Sequence, residues 1–212
     1  MNRRSHPLVK NTSIDDRRLL ILEGVLAQVP FDGWTDIALT TGARQAGLTQ
    51  GELDLLLPGG LGDLVALFGA MIDTKMQARI AKTRGFDGLR VREKIAFAVR
   101  ARLEIMLPYR EAVRRLCTWY ALPWNWSLGA ERLAQTVDVI WRAAGDTATD
   151  FNFYTKRALL AGVLKTTVLF WLADESPGCA ASWDFLDRRI GEVLRLGQAI
   201  GRGRAGRDKA RA

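Results

Sequence analysis

Apolar residues recur at helical spacing in every long segment of the chain. In the first such segment they stand three or four residues apart, at Leu19, Leu22, Val25, Leu26 and Val29. This spacing is typical of one face of an α-helix. No run of alternating β-branched residues is long enough to indicate a sheet. The pattern therefore predicts an all-α protein.

Capping and turn residues predict where these helices begin and end. Asp15 or Asp16 is expected to cap the first helix, and Pro30 to stop it. Thr49 is expected to cap a short third helix that ends before Pro58. The predicted helices cover residues 15–30, 35–46, 50–57, 61–82, 91–108, 109–120, 128–144, 158–173 and 182–198.

The most apolar segment is ALLAGVLKTTVLFWLA, residues 158–173, in which Lys165 is the only charge. Apolar side chains occupy every face of the predicted helix, and such a helix must be buried on all sides. A bilayer crossing needs roughly 20 apolar residues, so we interpret the segment as the central helix of a soluble bundle. Such a helix is suited to line a cavity for an apolar ligand.

The last predicted helix carries a single apolar seam. Its members are Trp183, Leu186, Ile190, Val193 and Gly197. A stripe of this kind is suited to packing in a bundle or against a second subunit. Both uses of the seam stay open from the spacing alone.

Length and cysteine content are those of an ordinary single-domain protein. A chain of 212 residues can bury a full core without disulfides or metals. Cys117 and Cys179 have neither CxxC nor metal-ligand spacing, and they are expected to be reduced thiols of a cytosolic protein. The opening MNRRSHPLVKNTS lacks the apolar core of a signal peptide. Export is therefore not expected.

The chain is basic, with a formal net charge of +8. Residues 195–212 contain six basic residues and one acid, a net of +5, in a Gly-rich tail that we expect to lack fixed structure. Such a tail can contact phosphate, either of nucleic acid or of lipid headgroups. The alternative, that it is a solvated end without a partner, stays open.

The sequence offers little for catalysis. His6 is the only histidine, and it lies in the arm that we expect to be disordered. We therefore expect neither a histidine general base, nor a Ser-His triad, nor a histidine metal cluster. Asp15 with Asp16 and Asp174 with Glu175 are adjacent pairs, whose side chains diverge by about 100° on a helix. We therefore expect no catalytic residue, no metal and no cofactor.

The first three predicted helices have the lengths of a helix-turn-helix unit, with AGLT as its tight turn. This part resembles the N-terminal domain of the TetR transcriptional regulators. The third helix has only Glu52 and Asp54 as charges, and leucines at 55–57 replace the polar residues of a reading helix. Because phosphate repels such a surface, we expect a degenerate helix-turn-helix that binds no specific nucleic acid. The alternative is a TetR-type ligand-responsive repressor.

Several longer motifs point to one family. They are GWTDIAL, ARLEIMLPYREA, ALPWN, AGDTATDFNFYTKRALLAGV and TTVLFWLADESP. In this order they resemble the TetR-fold lipid-binding accessory proteins of ubiquinone (coenzyme Q) biosynthesis, over residues 15–201. The resemblance implies a non-catalytic protein that binds polyprenyl quinone precursors and presents them to the di-iron demethoxyubiquinone hydroxylase. It also implies a dimer formed through late helices.

The expected organisation has four parts. Residues 1–14 form a disordered basic arm, and residues 15–60 a degenerate helix-turn-helix. Residues 61–200 form a helical bundle for lipid binding and dimerisation, and residues 201–212 a basic disordered tail. The expected location is the cytoplasmic side of a bacterial inner membrane, with peripheral contact to anionic lipid. Eukaryotic relatives have an amphipathic C-terminal helix, whereas GRGRAGRDKARA has no apolar face to insert.

The resemblance also implies a partner-binding patch, carried over position by position. It falls on Asp138, Ile140, Asp150, Phe153, Tyr154 and Arg157. An aromatic pair with acids and an arginine nearby is typical of an interface hot spot. From the residues alone an alternative stays open, in which Asp150 caps the helix and the aromatic pair packs at its start.

The walls of the lipid pocket are predicted from the inward faces of the helices. The candidates are Met106, Leu133, Val137, Trp141, Leu160, Leu164 and Val168. The alternative for each is an ordinary filled core. Trp124 and Trp126, in the loop LPWNW, would suit the headgroup boundary of a membrane. Loop tryptophans more often pack onto their own core, and this is what we expect of them.

Overall fold

The structure, a computed structural model, describes the backbone of residues 13–145 and 151–209. Helices account for most of this backbone, and it contains no strand, which confirms the all-α prediction. The helices are α1 (Ile14–Asp32), α2 (Asp36–Gln45), α3 (Gln50–Leu56), α4 (Leu61–Lys82), α5 (Val91–Met106), α6 (Arg110–Tyr120), α7 (Trp126–Ala143), α8 (Phe151–Ala173) and α9 (Ala180–Lys209). Side chains are described for residues 13–145, 154–193 and 195.

Both ends of α1 differ from the prediction. Ser13, rather than either aspartate, is the N-cap, and it forms a reciprocal capping box with Asp16. Pro30 lies inside the last turn, where its missing N–H costs one hydrogen bond without ending the helix. The helix ends at Gly33, whose φ of +71° favours glycine and whose N–H donates to the carbonyl of Val29 at 2.9 Å.

Helices α2 and α3 begin where the sequence predicts. Thr35 caps α2, accepting a hydrogen bond from the N–H of Ala38 at 3.2 Å. Thr49 caps α3 and forms a capping box with Glu52, whose carboxylate accepts from the N–H of Thr49 at 2.9 Å. Side-chain caps therefore fix the two helices of the helix-turn-helix locally.

The first compact unit combines residues 13–75 with Ile105–Arg132. Within this unit, α6 packs against α1. The indole N–H of Trp34 donates to the carbonyl of Ala112 at 2.9 Å, and Arg115 Nη2 donates to the carbonyl of Pro30 at 2.6 Å. These buried and half-buried hydrogen bonds tie α6 to the N-terminal helices.

The second compact unit combines Met76–Glu104 with the described residues of 133–145 and 151–209. Here α8 packs against α7 and α9, but it is not buried on all sides as predicted. Leu169 is 51% exposed and Phe170 37% exposed. Two neighbouring helices cover only part of an apolar surface that runs round the whole helix. One chain therefore leaves an apolar stripe on α8 in contact with water.

Helix α9 is longer than predicted. It begins at Ala180 and continues to Lys209, through most of the segment 201–212 that we expected to lack fixed structure. Extending an existing helix requires no new nucleation, so Arg, Ala and Lys residues can continue it despite the glycines.

The prediction for the tryptophans between α6 and α7 is wrong. Trp124 is 72% exposed and Trp126 66% exposed, so neither packs onto the core. The side chain of Asn125 between them is buried instead and donates from Nδ2 to the carbonyl of Trp119 at 3.1 Å. Because Asn125 takes the interior position, the indoles on either side point outward.

Within the described ranges, no single helix has the length and hydropathy of a membrane span. One bent pair, Gln50–Leu56 with Leu61–Lys82, passes that test by composition and length only, across a bend of 57°.

Candidate functional site

The predicted partner patch is centred on an ion pair between α7 and α8. Arg157 donates to Oδ1 of Asp138 from Nη2 at 2.8 Å and from Nε at 3.1 Å. The Arg157 side chain is 14% exposed and that of Asp138 24% exposed. The structure thus brings together two patch residues that are 19 positions apart in sequence. Partial burial shields this pair from solvent more than a surface pair.

Asp138 also pairs with Arg142, one helical turn further along α7. Two guanidinium groups therefore flank one carboxylate. The sequence analysis missed Arg142, although its i,i+4 spacing from Asp138 was a signal that could have identified it.

Trp141 and Lys156 form a second contact between the same two helices. The indole N–H of Trp141 donates to the carbonyl of Lys156 at 3.3 Å, and Lys156 Nζ lies 5.6 Å from the centroid of the Trp141 ring. Trp141 is only 9% exposed. A residue that we predicted as a pocket wall thus also holds α7 against α8.

The remaining patch residues divide by exposure. Tyr154 is 71% exposed in the early part of α8, one turn before Arg157. Ile140 has no exposed surface, so its predicted role in direct partner contact does not fit this arrangement. It is one of the buried residues of α7, with Thr136, Val137 and Trp141. Asp150 lies outside the described residues, and so does the side chain of Phe153.

Five of the seven predicted pocket residues are buried. They are Val137, Leu160, Leu164, Met106 and Trp141, whereas Leu133 and Val168 are half-buried. Met106 belongs to the first compact unit and the other six to the second. Whether these side chains surround a lipid or fill the core stays a prediction.

The motif DESP connects α8 to α9 through one buried carboxylate. Asp174 Oδ1 accepts from the N–H of Ser176 at 2.8 Å, and Oδ2 accepts from both the N–H and the hydroxyl of Ser182. Burial alone would raise the pKa of Asp174, but the hydrogen bonds from Ser176 and Ser182 outweigh it and lower the pKa well below its usual range. The motif therefore fixes the start of α9.

Helix α3 presents an acidic and apolar surface. Glu52 accepts from Arg17 Nη2 at 2.6 Å, and Asp54 accepts from Gln50 at 2.8 Å. Hydrogen bonds from Thr49, and then the one from Arg17, lower the pKa of Glu52 to about 2. Leu55, at the position of a base-reading residue, is 85% exposed. This helix offers no cation for phosphate or for the acceptors on guanine.

A small cleft of about 200 Å³ lies between α2 and α3. Its walls are Thr40, Ala43, Arg44, Leu48, Thr49, Gln50 and Leu53. Among residues 13–145 and 151–209, no three His, Cys, Asp or Glu side chains are grouped closely enough to hold a metal. Both cysteines are free thiols, as predicted, and burial raises the pKa of Cys117.

The fold is shared with a solved regulator. A TetR transcriptional regulator from Nitrosomonas europaea ATCC 19718 superposes with a TM-score of 0.67 at 18% identity, over 84% of this chain and 98% of that one. At this identity the likeness shows the fold alone. It confirms the expected TetR-like architecture.

Sequence similarity leads to a narrower group. Residues 126–197, from α7 into α9, match the family model described as COQ9. The ubiquinone biosynthesis protein COQ9, mitochondrial, of Rattus norvegicus is 33% identical over 183 residues, and that of Homo sapiens 32% identical over 183. The Drosophila melanogaster protein of that name is 31% identical over 190 residues.

These alignments cover 84% to 88% of this chain and 57% to 58% of the relatives. The chain thus spans somewhat more than half the length of the curated relatives it matches. The residues that match the family model include the Asp138–Arg157 pair, Tyr154 and the DESP motif of the candidate site. With a TetR-like fold and this similarity along most of its length, the chain is similar to the COQ9 proteins of ubiquinone biosynthesis, and residues 126–197 match their family model.

Proposed function

We propose that this protein is a non-catalytic lipid-binding accessory protein of ubiquinone biosynthesis. It binds polyprenyl quinone precursors and presents them to the demethoxyubiquinone hydroxylase. The observation that carries the proposal is the α7–α8 pair, which lies inside the COQ9 match. This pair carries buried apolar side chains, an exposed tyrosine and a half-buried ion pair.

The inward faces of α7 and α8 supply the environment for the lipid. Val137, Leu160 and Leu164 are among the most buried side chains of the second unit, and Leu133 and Val168 extend the same surface. Transfer of a polyprenyl chain from water to such a surface gains about 0.8 kcal/mol per methylene. A few isoprene units therefore suffice for tight binding. Met106 stays a candidate in the first unit.

The outward part of the same helices supplies the docking surface for the hydroxylase. Tyr154 is exposed and amphipathic, which is typical of an interface anchor. The ion pair of Asp138 with Arg157 holds the surrounding helices in position before a partner arrives. Asp150 and Phe153 complete the proposed patch.

Three further elements belong to the proposal. The apolar stripe on α8, with its partly exposed Leu169 and Phe170, is covered by a second copy in a homodimer. The basic residues beyond Arg195 attract anionic lipid. In a bacterium, the protein works on the cytoplasmic side of the inner membrane as a peripheral protein.

A hydroxylase assay tests the docking surface. Tyr154→Ala is expected to lower hydroxylation of a polyprenyl precursor by about tenfold, because truncating an interface anchor costs roughly 1–2 kcal/mol of binding. The assay measures product formed by purified hydroxylase with and without this protein. Far-ultraviolet circular dichroism of the variant should match the wild type, since the side chain is exposed.

Phe31→Ala is the matched control, because Phe31 is an equally exposed aromatic residue on α1. Stimulation unchanged by Tyr154→Ala, or lost equally in the Phe31 variant, contradicts the assigned patch. Charge reversal at Asp150 is a second probe, for which we expect the same loss.

A further inference from the structure

Three of the exposed large apolar side chains stand within five residues of one another. They are Trp124, Trp126 and Leu128, which are 72%, 66% and 42% exposed. We call residues 121–128, between the end of α6 and the first turn of α7, the tryptophan turn. Exposed apolar residues scattered singly need no explanation, whereas two adjacent exposed indoles mark an interaction surface.

The tryptophan turn is held in one conformation by hydrogen bonds. The N–H of Asn125 donates to the carbonyl of Leu122 at 2.9 Å, and its buried side chain donates to the carbonyl of Trp119. At the next position, Gly129 packs against Tyr120, where a β-carbon would lie 2.9 Å from the ring. The two indoles are therefore displayed outward by an ordered scaffold, so little side-chain ordering is left to occur on binding.

The surroundings of the turn contain no charge over an unusual length. Residues 116–130 include no Asp, Glu, Lys or Arg, although 25% of the chain is charged. Gly62 adjoins the turn, since a β-carbon there would lie 3.9 Å from Leu128. Gly62 ends a second uncharged segment, residues 55–62. The turn therefore lies in one uncharged stretch of the chain and adjoins a second one.

The flanking charges favour neutral over anionic partners. The first charges beyond the two uncharged segments are Asp54, Asp63, Glu131 and Arg115. Arg115 donates to the carbonyl of Pro30 at 2.6 Å and pairs with Glu111. Arg132, which also follows the turn, donates to the buried carboxylate of Asp73 at 2.7 Å. The surface therefore lacks a free cation that would attract phosphoserine or phosphoinositide headgroups.

We propose that the tryptophan turn inserts into the headgroup boundary of a neutral lipid bilayer and so anchors the protein at a membrane surface. Tryptophan is the side chain that prefers this boundary, because its ring is apolar and its N–H remains hydrated. A neutral bilayer matches an uncharged surface with exposed indoles. This anchor is separate from the lipid-binding site proposed on α7 and α8, and it requires no quinone.

Binding to quinone-free phosphatidylcholine vesicles tests the proposal with the full chain. The wild type should sediment with the vesicles, and Trp124→Ser/Trp126→Ser should reduce the partition coefficient about tenfold or more. Phe31→Ser, which removes an 80% exposed aromatic residue of α1 outside the turn, should bind as the wild type does.

Brominated phosphatidylcholine provides a second readout that does not depend on the double variant's fold. It should quench the tryptophan fluorescence of the wild type, and Trp124→Ser alone should reduce that quenching. The proposal is overturned if the wild type does not bind neutral vesicles, or if the double variant binds them equally well. It is also overturned if the double variant loses a dimer and keeps its vesicle binding. Because the vesicles hold no quinone, failure here leaves the proposed cargo and hydroxylase docking independently testable.

Discussion

Asp174 is the residue whose chemistry the structure explains most completely. A 7% exposed carboxylate with three donors from Ser176 and Ser182 joins the end of α8 to the start of α9. A buried carboxylate is tolerated only because these donors replace water. Glu175, the next residue, is exposed and makes no comparable connection.

Asp174→Ala is expected to lower the free energy of unfolding by about 2–4 kcal/mol, because it leaves the buried donors of Ser182 without their acceptor. Urea unfolding followed by circular dichroism measures the change. Glu175→Ala is the matched control and should stay within about 0.5 kcal/mol of the wild type. Equal effects of the two substitutions contradict the role assigned to Asp174.

Stability should fall in acid for the same reason. The pKa of Asp174 is lower in the folded protein than in the unfolded chain, so the unfolded state takes up its proton first as the pH falls. Its contribution is complete above about pH 4, the ordinary range of an aspartate, and is lost progressively below it.

Chemical denaturation at a series of pH values between about 6 and 2 tests this. Asp174→Asn should be less stable than the wild type at neutral pH but should show a smaller decline in acid. Glu52, whose pKa falls to about 2, contributes in the same direction and remains in both proteins. Identical pH profiles for the two proteins would exclude Asp174 as a contributor.

Helix α8 illustrates what a sequence pattern can predict about burial and what it cannot. Its apolar residues identify an internal helix, but the pattern cannot say which of its faces the neighbouring helices cover. The structure leaves Leu169 half exposed, while Leu160 and Leu164 are buried. Phe170 stacks on Phe185 of α9 at a centroid distance of 4.5 Å, so part of the stripe is shared between the two helices.

Leu169→Asp should weaken self-association at least about tenfold, because it places an unpaired charge in the proposed subunit contact. Analytical ultracentrifugation across a concentration series measures this, with circular dichroism as the check on folding. Leu55→Asp is the matched control, since Leu55 is an exposed leucine on α3. A monomeric wild type, or unchanged association of Leu169→Asp, contradicts the dimer through α8.

Local signals explain which elements were predictable. Helix α4 begins and ends at the predicted residues because glycines precede it and follow it closely. Thr49 caps α3 as predicted, and Thr35, predicted as the first residue of α2, is the cap of that helix. The end of α1 was not predictable from Pro30 alone, because a proline in the last turn removes one hydrogen bond and need not end the helix.

The candidate site was predictable in part for a related reason. The match of motifs identified Asp138, Arg157 and Tyr154, and the first two form an ion pair in the structure. Burial of Ile140 and exposure of Trp124 depend on contacts between distant segments, which residue spacing does not encode. In the turn, the deciding factor is Asn125, whose buried amide displaces the indoles on either side.

The molecule as a whole combines a regulator's fold with surfaces unlike those of a regulator. The helix-turn-helix is present, yet α3 carries ionised Glu52 and exposed Leu55 where a DNA reader needs donors. The net charge of +8 is therefore not displayed by the helix that would read DNA. In the proposed account, the bundle's apolar interior holds the ligand, and the exposed faces of α8 bind proteins.

The most direct test of this account is mass spectrometry of lipids extracted from the purified full chain. We expect isoprenoid quinones or their polyprenyl precursors, enriched over the bulk phospholipids of the host and reduced when Leu164→Asp places a charge inside the proposed site. Asp substitution of exposed Leu55 should leave the recovered lipid unchanged. A wild-type protein that is folded but carries no isoprenoid lipid, and takes up none when purified precursor is added, contradicts the central claim.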